Sequence, residues 1–461
     1  MIIKTELHLV EDRTEMFRTY VTELTEGQLK IHPRYLKKDE RRLYIRRTLR
    51  EDHTRRIKNS PEDTKQKFDK LAGSYFSFFR GTALLYYRDY AGIDADLPVV
   101  FTIGDIHPEN FGVMPNQDNV PFFGVNDFDE AHFAPFTYDV RRGAVGFYLA
   151  AHEEGFSKKH CKKFARCFVR GYRDGLKEFA KDDREKYFQY RIDNSPKLIK
   201  KLLEDSLTER KEFLKEKINL KKKKFKITDE IVPYSQHCAE FQKVVDKYVK
   251  KNKIEVPKNA DGFFEVTDVA IKKGSGTASL GLDRYWILLE GETEANDDCV
   301  ILEMKQSRIS ALEGLVPFFA GNEEQEDAKA EQIVKAHNVH LVGGDPLYGY
   351  ATYQDQSYLV RERSPFKNDI DLDELDKKEW KAYARVCGKT LAQTHARSDQ
   401  DTGIMEGNAE ETILKSMIPK VFEDDMVRFA KRAAKRIRKD HQLFKKDYEL
   451  GAFDFVTNDG A

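Results

Sequence analysis

The chain has 461 residues, of which 40% are apolar and 12% aromatic, so it can build a hydrophobic core, and its length predicts about two to four domains. Its 79 Lys and Arg residues balance 79 Asp and Glu residues, and the zero net charge argues against a protein dominated by a polyanionic partner such as nucleic acid. The five cysteines are scattered and form no C-x-x-C pair, which argues against a disulfide framework or a zinc site.

Signals for a membrane or for export are missing from the sequence. No stretch approaches the roughly 18–20 apolar residues of a membrane span, and residues 1–6 already carry charges where a signal peptide would have an apolar core. Together with the scattered cysteines, these features predict a cytoplasmic protein without a membrane span. The oligomeric state has no signature in the sequence.

Residues 1–60 are rich in charged residues, arginine above all, and we interpret them as a helical, peripheral extension. Residues 62–90 have the wide apolar face of a helix, interrupted at Phe79-Arg80-Gly81. Apolar runs at 99–103 and 121–125 predict two short buried strands, and each leads directly into acidic residues. Such strands would form a small ribbon that presents chemical groups at its tips.

The remainder of the chain alternates between helical and strand patterns. Residues 137–182 predict two helices, and residues 196–230 predict a charged helical stretch. Its lysine run at 221–224 is interpreted as a solvated helix face because acidic residues precede it, although a nucleic acid or an acidic membrane would also suit such a run. The other predicted strands are 266–273, 282–290, 299–306, 348–353 and 357–363, and the other predicted helices are 323–341, 378–396, 409–422 and 426–446.

Two acidic motifs follow the two short strands. The first is Gly104-Asp105-Ile106-His107-Pro108-Glu109-Asn110, and the second is Asn126-Asp127-Phe128-Asp129-Glu130. An Asp and an Asn five residues apart, followed by a second acidic cluster, have the layout of a phosphotransfer site. We predict that Asp105 is the general base that takes a proton from an acceptor hydroxyl, or the carboxylate that orients this hydroxyl. We predict that Asn110 and Asp127 bind Mg²⁺, while Asp129 either helps to bind Mg²⁺ or holds the loop. The alternative is that these residues serve as ordinary turn and capping residues.

A glycine-rich segment and a lysine supply the other half of a nucleotide site. Gly274-Ser275-Gly276 and Gly281 lie between two predicted strands, where backbone N–H groups can approach phosphates, although glycines also simply make turns. Lys305, near the end of a later strand, is the candidate lysine for the phosphates of ATP. Its predicted partner is a glutamate of the next helix, and we favour Glu331. The other candidates on that helix are Glu323 and Glu326.

The order of these parts is unusual for a kinase. In a kinase chain the glycine-rich loop and the lysine strand come before the catalytic loop and the metal-binding Asp, whereas here they come after them. A circular permutation explains this order, and permutation is tolerated when the termini and the cut point lie at the surface. The helix that ends at Thr390–His395 resembles the helix that precedes the catalytic loop in small-molecule kinases.

The two acidic motifs are similar to the catalytic and metal motifs of aminoglycoside and choline kinases. Five blocks also resemble one bacterial family of uncharacterised proteins, the domain-of-unknown-function 2252 family. The blocks are 78–81, 104–110, 126–131, 273–276 and 391–398. The resemblance implies an α+β, protein-kinase-like two-lobed fold with an ATP–Mg²⁺ site, in which Asp139 ties down the catalytic loop. We expect His107 to be structural and to form a hydrogen bond with the catalytic loop, in preference to acting as a base. Residues 135–143 depart from the family pattern, where a Gly-Pro and a Leu-Ala are expected, and this difference should affect packing more than chemistry.

The resemblance divides the chain into four segments. Residues 1–60 are the helical extension, 61–261 hold the catalytic loop and the metal-binding Asp, 262–366 form a small β lobe, and 367–461 complete the helical lobe. We therefore expect an ATP- and Mg²⁺-dependent phosphotransferase that acts on an unknown hydroxyl acceptor, and we favour a small molecule over a protein.

Three other functions stay open. A kinase-like domain can bind a nucleotide as a catalytically silent scaffold, and the same site can transfer a nucleotidyl group in place of a phosphate. Residues 103–107 also resemble the opening motif of two-metal phosphoesterases. Those enzymes need further Asp, Asn and His ligands, and the later part of this sequence lacks the expected Asn-His step.

Overall fold

The computed structural model describes residues 32–453 except 256–261, 275–279, 292, 294, 296 and 317–327, together with a few positions between 18 and 26. Helices and antiparallel strands alternate along the chain, so the fold is α+β. Among the described residues, no helix has the length and apolar character needed to cross a membrane.

Most helices belong to one large helical part. Helices α5, α6, α11 and α13 pack against each other, and their apolar faces share one continuous hydrophobic core with α2, α3 and α4. The helices are α1 (Lys38–Asn59), α2 (Pro61–Gly73), α3 (Tyr75–Gly81), α4 (Ala83–Tyr90), α5 (Thr137–Glu153), α6 (Lys158–Asp182), α7 (Lys197–Asp205), α8 (Arg210–Lys217), α9 (Cys238–Asn252), α10 (Ala328–His340), α11 (Lys377–Ala396), α12 (Ala409–Lys415) and α13 (Pro419–Glu449).

The strands form one large sheet and three small ones. The large sheet is antiparallel with the order β11-β12-β10-β9-β8-β7, a second sheet has the order β13-β2-β3, and the pairs β1-β4 and β5-β6 are separate. The strands are β1 (Val99–Thr102), β2 (Phe111–Pro115), β3 (Pro121–Val125), β4 (His132–Pro135), β5 (Ile218–Asn219), β6 (Lys224–Phe225), β7 (Ile231–Pro233), β8 (Val266–Lys272), β9 (Arg284–Leu289), β10 (Val300–Gln306), β11 (Gly349–Tyr353), β12 (Gln356–Glu362) and β13 (Asn368–Asp369).

The two faces of the six-stranded sheet have different surroundings. One face packs on α9 through an apolar cluster that includes Phe241 and Tyr248. The other face is covered at one end by Leu214 of α8 and Phe225 of β6, which contact Trp286 and its neighbours. Beyond this cover the same face carries charged side chains and opens into a pocket.

Helix α1 is not a peripheral extension, so that part of the prediction for residues 1–60 is wrong. Its Ile45 and Leu49 are each 1% exposed and belong to the main core. Arg41 forms a buried ion pair with Asp89 of α4 at 2.6 Å and a second with Asp440 of α13 at 2.7 Å. The high charge of this segment therefore reflects buried ion pairs as well as a solvated face.

Most predicted elements are confirmed, with shifted ends. The helix predicted at 62–90 is three helices, because the chain leaves the helical conformation at Ser74 and at Thr82. The helix predicted at 409–422 ends at Lys415, and Pro419 begins the next helix. For the helix predicted at 323–341, residues 323–327 lie outside the described part of the chain.

The lysine run 221–224 is not a helix face, and this prediction is wrong. The run forms the turn and the start of β6 in the β5-β6 hairpin, and Lys223 has a left-handed φ of 46°. Lys223 pairs with Glu290, and Lys224 pairs with Asp268 at 3.2 Å. These lysines therefore fasten the hairpin to the large sheet.

We expect Arg41→Met to lower the free energy of unfolding by about 3–5 kcal/mol, because it removes the hydrogen-bonded cation of two buried carboxylates and leaves Asp89 only the longer contact with Arg436 at 3.9 Å. The matched control is Arg47→Met on the same helix, where the side chain is exposed and a change within about 0.5 kcal/mol is expected. Chemical denaturation measures both variants. If Arg41→Met lowers the free energy of unfolding no more than the control does, the ion pairs of Arg41 with Asp89 and Asp440 do not stabilise the fold.

Candidate functional site

A pocket of about 490 Å³ lies between the loops at the ends of β1 and β3 and the charged face of the six-stranded sheet. Asp105, Asn110, Asp127, Asp129 and Lys305 all line this pocket. The structure thus brings together the predicted catalytic residue, the predicted metal ligands and the predicted phosphate-binding lysine. Lys305 of β10 comes 176 residues after Asp129 in the sequence, so the two are brought together only by the tertiary fold.

The loop that carries Asp105 starts at a position where the structure requires glycine. Gly104 has a left-handed φ of 82°, and a Cβ atom there would lie 2.0 Å from the backbone oxygen of Glu130. The two acidic loops therefore touch through their backbones. This close approach places the side chains of both loops in the same pocket.

Asp139 of α5 forms hydrogen bonds with the backbone of the same loop. Its carboxylate accepts hydrogen bonds from the backbone N–H groups of Ile103 and Gly104 at 2.7 and 2.9 Å. The prediction that Asp139 ties down this loop is therefore confirmed. His395, near the end of α11, contacts the same carboxylate at 3.1 Å through Nε2, and its Nδ1 lies 2.8 Å from the Tyr172 hydroxyl. Asp139 thus connects the end of α11 to the loop that carries Asp105.

Asp105 is held by an arginine that the sequence analysis missed. Arg142 of α5, which is fully buried, donates to Oδ1 of Asp105 at 2.7 Å from Nε, and its Nη2 lies 2.6 Å from the same oxygen. The guanidinium also lies over the ring of Phe79, 4.4 Å from its centroid. The ion pair holds the Asp105 carboxylate in one orientation at the edge of the pocket.

Asn110 is oriented through its amide nitrogen. Its Nδ2 donates to the backbone oxygen of Asp105 at 2.9 Å and to that of Asp127 at 3.3 Å. The side chain therefore connects the two acidic loops. Because the amide nitrogen is used in this way, Oδ1 is the atom of Asn110 with which a cation could be bound.

Asp127 and Asp129 lie close together but have opposite electrostatic environments. Asp127 remains exposed to solvent in the pocket, but partial enclosure by the pocket walls, followed by the charge of Asp129, raises the pKa of Asp127. Burial also opposes ionisation of Asp129, but its ion pair with Lys305 outweighs this cost and lowers the pKa of Asp129. The pair thus concentrates negative charge beside one lysine.

The sheet side of the pocket is a cationic wall with one buried carboxylate. Glu303 of β10 is 1% exposed and pairs with Arg284 at 3.0 Å and with Arg361 at 2.8 Å. Burial alone would raise the pKa of Glu303, but these arginines hold it well below its usual value. Asp345 and Glu362 also line this side, and the six cations outnumber the three carboxylates. The cations of the wall are Lys272, Arg284, Lys305, Arg361, Arg363 and Lys367.

Some predicted residues lie outside the pocket. Glu331 is exposed on α10 and forms no ion pair with Lys305, so this predicted partnership is wrong, and Lys305 pairs with Asp129 in its place. Gly281 lies against Arg56 of α1, and the space beside Gly274 faces Glu230. Both glycines have left-handed φ values, of 80° and 71°, which glycine adopts without strain, and neither lines the pocket. Ser275 and Gly276 lie outside the described residues.

His107 packs against the loop, but its predicted hydrogen bond to the loop is not found among the described residues, and its Nδ1 is buried without a partner there. His107 is buried, lies 3.8 Å from Oδ2 of Asp105, and meets the ring of Phe76 edge to face. Burial and the nearby Arg80 lower the pKa of His107 well below its usual value, so the ring is neutral. A neutral, enclosed imidazole is suited to packing the loop.

Comparison with protein families shows which family this chain belongs to. A family model matches residues 57–447, and its family is described as an uncharacterized protein conserved in bacteria, DUF2252. Because this match spans most of the chain, the protein belongs to the DUF2252 family, which confirms that resemblance. No curated protein and no solved structure matches the chain. The family description assigns no activity, so functional inference depends on the pocket.

We expect Gly104→Ala to lower the free energy of unfolding by about 2–5 kcal/mol, because it combines a left-handed backbone with a clash against the second loop. Gly155→Ala is the matched control. Gly155 has a similar φ of 77°, but a Cβ there would have no neighbour within 4 Å, so a cost of only about 1–2 kcal/mol is expected. Equal losses in the two variants, measured by chemical denaturation, would show that the loop contact is unimportant.

Proposed function

We propose that this protein is an ATP- and Mg²⁺-dependent phosphotransferase with a kinase-like, circularly permuted organisation. One observation carries the proposal: Asp105, Asn110 and Asp127 share a pocket with Lys305, which lies on a strand far away in sequence. Phosphoryl transfer depends on positioning and on charge stabilisation, and kinases supply these with the same types of residue.

The charge distribution of the pocket supports a polyphosphate ligand. The sheet side carries the cationic wall, and the loop side carries the carboxylates of Asp105, Glu109, Asp127 and Asp129. A ligand that fits both sides must present negative charge to the cationic wall and positive charge to the carboxylates of the loops. A nucleotide triphosphate with bound Mg²⁺ has this polarity.

The residues of the loop side fit a magnesium ion. Oδ1 of Asn110 and the carboxylate of Asp127 are hard oxygen donors, and Mg²⁺ usually takes one or two carboxylates together with phosphate oxygens and water. Held by these oxygens, Mg²⁺ would supply positive charge that offsets the negative charge developing on a transferred phosphate. Asp129 is paired with Lys305, so we assign it to holding the lysine until nucleotide phosphates compete for that cation.

Asp105 is suited to orienting an acceptor hydroxyl. Arg142 occupies Oδ1 of Asp105, and Oδ2 lies near His107 at 3.8 Å, beyond hydrogen-bond distance. Oδ2 is therefore the oxygen with which Asp105 would accept a proton from a substrate. The resemblance to aminoglycoside and choline kinases favours a small hydroxylated acceptor.

The arrangement of the elements agrees with the permuted order. Strands β8, β9 and β10 are followed by α10, then by β11 and β12, and all five strands belong to one antiparallel sheet. Helix α11 comes next and ends at His395 beneath the loop of Asp105, as the helix before a catalytic loop would. In an unpermuted kinase the catalytic loop would follow this helix along the chain. Here the loop of Asp105 lies next to the end of α11 although it comes much earlier in the sequence, and this supports the proposed permutation.

We expect ATP to raise the melting temperature of the protein only when Mg²⁺ is present, because a ligand that binds the native state stabilises it by mass action. Asp127→Asn should abolish the Mg²⁺-dependent rise without unfolding the protein, since it removes a charge from a solvent-accessible side chain. Asp118→Asn is the matched control. Asp118 is exposed on the neighbouring β2-β3 turn and does not line the pocket.

Asp105→Asn separates catalysis from binding. The variant should keep the Mg²⁺-dependent thermal shift but lose most ATP turnover, measured as ADP formed with water or with a panel of small hydroxylated compounds. A mass spectrum that contains AMP and an adenylated product would indicate nucleotidyl transfer. No thermal shift at millimolar ATP would contradict the nucleotide site, and turnover that survives Asp105→Asn would contradict the role of this carboxylate.

A further inference from the structure

A second group of carboxylates lies outside the pocket, where α6 ends and α12 begins. Asp183 directly follows α6, Glu185 lies in the short 3-10 turn Arg184–Lys186, and Glu410 lies in the first turn of α12. One oxygen from each carboxylate lies within 4.8 Å of the others. Two oxygens that share a Ca²⁺ ion at about 2.3–2.6 Å are at most about 5 Å apart. The spacing therefore suits a single bound cation.

Two of these carboxylates are buried without partners. Glu185 and Glu410 are each 0% exposed, and no described group forms a hydrogen bond with any of their carboxylate oxygens. Asp401 lies beside Glu185 and Asn408 beside Glu410, but neither contact has hydrogen-bond geometry. Burial is the main cause that raises the pKa of both glutamates to about 7. Buried carboxylates in native proteins are normally paired or bind a metal.

The nearby cations do not pair with the two buried glutamates. Lys186 is paired with Asp183 at 3.1 Å and with Asp401 at 3.0 Å. Arg397 donates from Nε to the backbone oxygen of Val339 at 2.7 Å, and its Nη1 contacts the backbone oxygens of residues 185 and 186. Neither cation forms an ion pair with the two buried glutamates among the described contacts. The two buried glutamates therefore lack a compensating cation among the described side chains.

We propose that Asp183, Glu185 and Glu410 form a Ca²⁺-binding site. The set contains only carboxylate oxygens, which are ligands for hard cations, and Ca²⁺ accepts about six to eight oxygens in irregular geometry. Mg²⁺ is less suited, because it keeps several waters and needs nearly ideal octahedral geometry, whereas the oxygens of both glutamates are closed off from water.

The bound ion would join three segments of the helical part. It links the end of α6, the turn after it and the start of α12, and the turn is already attached to α11, since Gln393 donates to the backbone oxygens of Glu185 at 3.1 Å and Phe188 at 2.7 Å. Gln393 lies two residues before His395, which contacts Asp139 beneath the loop of Asp105. The cation site would thus stabilise the helix that supports the pocket.

The test is Ca²⁺ binding by calorimetry and by thermal shift on the whole chain after removal of metals with EDTA, without nucleotide. We expect saturable binding of one Ca²⁺ with a rise in melting temperature, and weaker binding of Mg²⁺. Glu410→Gln should lower Ca²⁺ affinity by about tenfold or more, while its metal-free melting temperature is equal to or higher than that of the wild type, because one unpartnered charge is gone. Glu411→Gln, at the exposed neighbouring position, is the matched control and should bind Ca²⁺ normally.

Several outcomes would overturn the assignment. Absence of a Ca²⁺ response in the wild type would show that protons or water satisfy the glutamates. Equal binding of Mg²⁺ and Ca²⁺, or a Ca²⁺ response lost in Asp127→Asn but kept in Glu410→Gln, would also contradict it. If Glu410→Gln does not fold, Glu185→Gln provides the same comparison from the other buried ligand.

Discussion

Two neighbouring ion pairs attach the second acidic loop to the large sheet, and the pocket depends on them. Lys305 of β10 pairs with Asp129, and Arg308, just beyond that strand, pairs with Glu130. All four side chains are largely buried, so removing one partner would leave a charge in a poorly solvated place. These contacts position the charged face of the sheet opposite the loops, and the space between them is the pocket.

The loops themselves are held by an independent set of contacts from the helical part. Asp139 and Arg142 lie three residues apart on α5 and therefore face the same side of the helix. Asp139 binds the backbone of the first loop, and Arg142 orients the carboxylate of Asp105. The loop geometry thus depends on the helical core, while the cationic wall depends on the sheet. A nucleotide with Mg²⁺ would add a third connection, since it would contact both sides.

The sequence was sufficient for the parts of the site that lie close together along the chain. The Asp105 and Asn110 motif, the acidic motif after β3 and the alternating strands were visible because local spacing determines which side chains share a loop or a face. Arg142, Arg361 and Glu303 were missed, although Arg142 in an apolar helix and the charges within β10 and β12 were available signals. Their partners lie on other elements, and only tertiary packing reveals them. The same reason explains the wrong choice of Glu331 and the unnoticed cluster of Glu185 and Glu410.

In the proposed function, the pocket binds a nucleotide with its phosphates at Lys305 and its metal at Asn110 and Asp127. The most direct measurement is a crystal structure with a non-hydrolysable ATP analogue and Mn²⁺, which replaces Mg²⁺ and gives an anomalous signal. We expect a Mn²⁺ peak bound by Asn110 Oδ1 and the Asp127 carboxylate, with phosphate oxygens beside Lys305. Density for the nucleotide outside this pocket, or a metal peak that avoids both ligands, would contradict it.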